Sequence, residues 1–68
     1  MKNNNRTKGK VVDCLPNAHF KVELEDGRIV RAYTAGKIRI NKIRISIGDS
    51  VSLEIPSQGE IYRISFRL

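Results

Sequence analysis

The stretch 20–33, FKVELEDGRIVRAY, decides the fold. Phe20, Val22 and Leu24 alternate with Lys21, Glu23 and Glu25. A period of two sends successive side chains to opposite faces of a strand, so this is a half-buried strand with a charged outer face. Asp26-Gly27 follows and predicts a hairpin, because both central residues of the favoured tight turn need positive φ. Beyond the turn, Ile29, Arg31 and Tyr33 share one face, while Val30 and Ala32 share the other. The two runs form one hairpin, with Arg31 and Tyr33 side by side on it.

Toward the N-terminus, GKVVDCL at 9–15 reads as a further strand on its β-branched pair. Cys14, in step with core positions, is expected to be a small buried apolar residue. PNAH at 16–19 breaks that strand, since Pro16 and Asn17 are turn residues. Residues 1–8 have no apolar residue after Met1 and read as a flexible basic tail, leaving 9–68 as one domain.

Toward the C-terminus, AGKIRINKIRI at 35–45 says nearly the same thing twice. As one strand it fails, because Asn41 shifts the phase and sends the two isoleucine pairs to opposite faces. As one helix it also fails, because the isoleucines form no single stripe. The consistent reading is a turn or short helix near 35–40, a break at Asn41 and a strand over 42–47. Gly36-Lys37 lacks the flanking residues of a phosphate loop. GDS at 48–50 is a turn, and Val51, Leu53 and Ile55 then point inward from an alternating run. PSQG turns the chain again, and Tyr62, Ile64 and Phe66 alternate against Ile61, Arg63 and Ser65. Five or six short strands with frequent turns are an all-β pattern. In 68 residues a two-layer sandwich is implausible and a small closed barrel removes exposed edges. The expected fold is therefore a five-stranded OB-fold, with the turn or short helix between the third and fourth strands.

Size and charge narrow the function. A chain of 68 residues buries only about 60% of its unfolded surface, which leaves little room for a deep catalytic pocket. One cysteine and one histidine make neither a disulfide nor a four-ligand zinc site. No apolar run approaches the roughly 18 residues of a membrane span. The N-terminus lacks a signal-peptide core, so a reducing, cytosolic setting is expected. His19 has no acidic or nucleophilic partner nearby in sequence and reads as a surface residue. Catalysis and cofactors are not expected.

The net charge of +6 predicts attraction to a polyanion. Its placement says more: residues 28–44 hold six cations and no acid, while 45–60 hold three acids and no cation. Segregation of this kind marks a basic face, and nucleic acid is the first candidate partner. Lys and Arg neutralise phosphates, and Arg also stacks on bases. The aromatics are Phe20, Tyr33, Tyr62 and Phe66. Phe20 and Phe66 fit the core phase, whereas Tyr33 stands beside Arg31. So few rings favour docking on a folded RNA over stacking along a single strand.

The segment 9–55 resembles bacterial-type translation initiation factor 1. The shared features, in order, are an LPN turn before FKVEL, an acidic DG hairpin, GKIR, and then IRISIGDSVSLEI. The resemblance implies an OB-fold that binds the small ribosomal subunit at the decoding A site, blocks premature binding of elongator tRNA there and assists the other two initiation factors. By the same resemblance, Pro16, Asn17, Ala18 and His19 match the turn that enters the minor groove of the long decoding-site rRNA helix. Lys37, Arg39, Lys42 and Arg44 match basic contacts to rRNA and the neighbouring ribosomal protein. Arg28 matches a position that is basic in many members. Arg63 and Arg67 match C-terminal RNA-contacting cations. With Arg31 and Tyr33 these are the expected rRNA-binding residues. The C-terminus departs from the family: PSQGEIYRISFRL is shorter, has Glu60 in place of an Arg and puts Tyr62-Arg63 one place early. A non-enzymatic, cofactor-free monomer in the cytoplasm, or in a plastid stroma, is implied. The alternative on the same fold is a cold-shock-like single-strand binder or RNA chaperone.

Overall fold

A computed structural model of the protein describes residues 5–34 and 44–68. The described residues form five strands: β1 (Arg6–Leu15), β2 (His19–Leu24), β3 (Ile29–Thr34), β4 (Ser50–Glu54) and β5 (Tyr62–Arg67). They close a barrel in the order β1-β2-β3-β5-β4. All neighbours are antiparallel except β3 and β5, whose parallel pairing of Ala32 with Tyr62 and Thr34 with Ile64 completes the circle. This is the expected all-β, five-stranded OB-fold.

The long β1 serves two partners. Its first half pairs with β4 and its second half with β2, and Gly9 and Lys10 are paired on both sides. A register shift between Val11 and Asp13 bends it on the way. Alternation then fills the interior: Val11, Phe20, Val22, Leu24, Ala32, Val51, Leu53, Tyr62 and Ile64 are buried, and Ile45 joins them from outside the strands. Burying each of the larger of these side chains is worth about 1.5–3 kcal/mol.

Several sequence expectations need correction. The boundary at residue 9 moves outward, because Arg6, Thr7 and Lys8 pair with Glu54, Leu53 and Ser52. These residues read as tail because the alternation there is between cations and small polar groups, with no apolar residue before Val11. The strand expected over 42–47 is not found in its described part. Residues 44–46 have no ladder partner and 47–48 form a turn. There the Asp49 carboxylate accepts the Ser46 amide at 2.8 Å, and Val11 clamps the turn by bonding Asp49 and Gly48. The turn or short helix at 35–40 and the break at Asn41 lie outside the described residues. Cys14 is exposed, because the β1 irregularity shifts its phase. Ile55 is also exposed, just past the end of β4.

The Asp26-Gly27 turn does not take the geometry expected of it. Gly27 has positive φ but Asp26 does not. Gly27 donates to the Leu24 carbonyl and Leu24 donates to the Arg28 carbonyl, which makes a three-residue connection with glycine at its left-handed position. Two successive left-handed residues occur instead at Asn17 (φ 64°) and Ala18 (φ 60°).

Candidate nucleic-acid interface

The outer face of β2 and β3 follows from their alternation. His19, Lys21 and Glu23 on β2 oppose Tyr33, Arg31 and Ile29 on β3. The His19 and Tyr33 rings meet edge to face, 6.3 Å apart at 85°. Such a contact favours one ring orientation over others and fixes the base of the 16–18 turn. Pro16 and Asn17 stand exposed on that turn. Arg31 lies across from Lys21, which lies across from Asp13. The expected pairing of Arg31 with Tyr33 on one face is therefore present, and His19 joins it.

β5 extends this surface. Arg63 is the register partner of Tyr33 on one side and of Glu54 on the other. Its guanidinium reaches Glu54 at 2.8 Å. Glu54 also accepts the Ser65 hydroxyl at 2.9 Å. The Ser65 hydroxyl first, and the Arg63 charge after it, hold the Glu54 carboxyl below the usual carboxylate range. At the other end of β3, Asp26 accepts the Arg28 amide at 3.1 Å and its Nε at 2.9 Å. The Arg28 backbone amide is the largest cause that lowers the Asp26 carboxyl, and the side-chain hydrogen bond from Nε to Asp26 is the largest cause that raises Arg28. Arg28 is exposed but already paired. Arg67 folds back so that Nη1 donates to the Arg44 backbone carbonyl at 2.9 Å, which sets its side chain against the Arg44 backbone. Lys37, Arg39 and Lys42 lie outside the described residues.

A shallow groove of about 1000 Å³ runs beside the start of β3, between Arg28, Ile29 and Arg31 on one wall and Ile55, Glu60 and Ile61 on the other. A further basic surface, on β1, β4 and β5, has no counterpart among the sequence expectations. The register of β4 and β5 shifts between Ser52 and Leu53, so Phe66 pairs with Ser52 while Leu53 pairs with Ile64. Ser65 is the extra residue, and beyond it the inside and outside of β5 are exchanged. Phe66, expected in the core, is 48% exposed. The Arg6 guanidinium lies 5.6 Å from its ring centroid. Lys8 stands two strands away in the same row, through Ser52. No sequence signal marks a one-residue bulge, so alternation alone could not have placed Phe66 outside.

The chain is matched over residues 1–67 by the family model for translation initiation factor 1A / IF-1. Among solved structures, it superposes with a TM-score of 0.76 on the solution structure of translation initiation factor 1 from the Wolbachia endosymbiont strain TRS of Brugia malayi, at 36% identity, covering 93% of this chain and 76% of that one. It also superposes with a TM-score of 0.79 on YjeQ from Thermotoga maritima, at 30% identity, covering 93% of this chain. There it spans only 22% of the other protein's length.

Proposed function

The chain belongs to the translation initiation factor 1A / IF-1 family, and on that premise we propose that it binds the small ribosomal subunit at the decoding A site. The observation that supports this reading is the outer face of β2 and β3, where the His19–Tyr33 contact stands beside Lys21 and Arg31 with Arg63 in register. In this reading the exposed 16–18 turn enters the minor groove of the decoding-site helix, where RNA shows 2′-hydroxyls and a wide, shallow surface. Arg31, Arg44, Arg63 and Arg67 neutralise backbone phosphates around it, together with Arg28 and with Lys37, Arg39 and Lys42. The bound protein blocks premature elongator tRNA binding, contacts the adjacent ribosomal protein and works with the other two initiation factors. It acts as a monomer in the cytoplasm, without catalysis or cofactor.

Co-sedimentation with purified small subunits tests the proposal, with chemical probing of the decoding-site adenines as the second readout. Binding that protects those adenines and weakens when Arg31 and Arg63 are neutralised is the expected result. Absence of binding at low salt, or binding that leaves the adenines unprotected, would overturn it. The cold-shock-like reading has one observation in its favour, the exposed Phe66 ring. Micromolar binding to a labelled poly-pyrimidine strand, without binding to subunits, would favour it instead.

A further inference from the structure

We infer that Phe66 and Arg6 form a stacking site for an unpaired base of single-stranded RNA, on the β1–β4–β5 surface that adjoins the β2–β3 face along the Tyr33–Arg63–Glu54–Arg6 row. Three observations meet there. Phe66 is 48% exposed although it is a large apolar ring on a strand. The barrel interior is complete without it: the Ser65 irregularity turns it outward, and Ile64 and Tyr62 fill the space inside. The Arg6 guanidinium lies over the ring, 5.6 Å from its centroid.

The surroundings fit a nucleotide. An aromatic ring offers a base a flat apolar surface, and a guanidinium held over it can itself stack on a base and attracts the adjoining phosphate. Glu54 is the acid on this surface, and it is engaged by Arg63 and Ser65. Its negative charge is thus compensated within the protein by Arg63 and, across the β1–β4 ladder, by Arg6; the Arg6 and Lys8 side chains are nonetheless exposed toward solvent. Lys8, Ser52 and Phe66 lie in one cross-strand row, and Arg6 and Lys8 are successive outward positions of β1, so both cations face the ring from the same strand. The ligand implied is a base free of pairing partners, because a base inside a duplex presents only its edges. A phosphate-only contact would need the cations but not the ring.

The chain contains no tryptophan, so Phe66→Trp reports on this position alone. The Phe66→Trp protein would be titrated at low salt with an oligoadenylate of about eight nucleotides, within the span of one OB barrel, and with an abasic strand of equal length and charge. Saturable quenching by the oligoadenylate, with little response to the abasic strand, is expected. Phe66→Leu and Arg6→Gln should each weaken binding of the labelled oligoadenylate, Phe66→Leu by about tenfold, the share one stacked base contributes. Thermal melting near the parent midpoint shows that both variants remain folded. Equal responses to the two strands, or undiminished binding by Phe66→Leu, would overturn the inference. Co-sedimentation of the unaltered chain with small subunits separates this result from the ribosomal reading. Sedimentation without quenching removes the stacking site and leaves ribosomal docking, and quenching without sedimentation does the reverse.

Discussion

At Gly9, the Val22 Cγ1 methyl occupies the space that a β-carbon would need: a Cβ there would lie 2.5 Å from that methyl and 2.7 Å from the Glu23 carbonyl oxygen. Gly9 is also where β1 is shared, paired with Leu24 on one side and Val51 on the other. The valine could rotate, but the carbonyl belongs to the β2 backbone and cannot. Gly9→Ala should therefore force β1 and β2 apart and cost about 1–3 kcal/mol. For a domain of this size each kcal/mol lowers Tm by about 4–8 °C. A thermal melt with an unchanged midpoint would show that the two strands separate at no cost.

The 16–18 turn stores strain at Ala18, whose φ of 60° is the left-handed region that disfavours a Cβ. Asn17 tolerates its similar φ better, because its side chain can bond the local backbone. Ala18→Gly should stabilise the protein by about 0.5–1 kcal/mol, and Ala18→Val should destabilise it. Chemical denaturation of the two variants checks the opposite signs. If both destabilise, a contact of the Ala18 methyl outweighs the backbone strain.

Regular alternation makes β2 and β3 legible. Phe20, Val22 and Leu24 are buried and Lys21 and Glu23 exposed, as period two requires. The same rule places Arg31 and Tyr33 outside, and with them the half of the candidate site nearest the turn. It fails where the register shifts. Ser65 adds one residue to β5, and a slip of one residue sends every later side chain to the other face. Phe66 escapes a sequence reading for that reason alone. The start of β1 is hidden differently. Arg6, Thr7 and Lys8 have no apolar partner in sequence, and their strand state comes from ladder bonds to the distant β4. His19 looks isolated in the sequence because its partner Tyr33 is far along the chain and meets it only through the hairpin register.

The Glu54 cluster gives stability a pH dependence. Its carboxyl is held below the usual range by the Ser65 hydroxyl and then by Arg63. A carboxyl lowered in the folded state contributes stability above its unfolded pKa and loses it as pH falls through the folded value. The loss should begin below about pH 4.3, the ordinary value for glutamate, and continue to more acid pH. Glu54→Gln should remove this contribution and flatten the acid limb, with the smaller effect expected of a partly exposed pair. Melting midpoints of parent and variant across that range should converge as the solution becomes acid. Parallel curves would mean that another carboxyl, such as Asp26, dominates.

Arg31 stands opposite Lys21 on adjacent strands, a like-charge pair in a position where opposed cations repel. Asp13, across from Lys21 on its other side, relieves this only in part. Such a pair is unfavourable in the free protein and becomes favourable when a phosphate lies over it. Arg31→Gln should then act in opposite directions on folding and on binding. It should raise stability by about 0.2–1 kcal/mol, more at low salt than at high, because screening weakens the repulsion being removed. It should also weaken co-sedimentation with small subunits and flatten the slope of log K against log salt by about 0.7–0.9, the share of one neutralised phosphate. Lys21→Gln should give the same stability gain, which separates relief of the pair from any effect peculiar to arginine. A variant that melts earlier, or one that binds with an unchanged salt slope, would show that Arg31 serves the barrel and not the RNA.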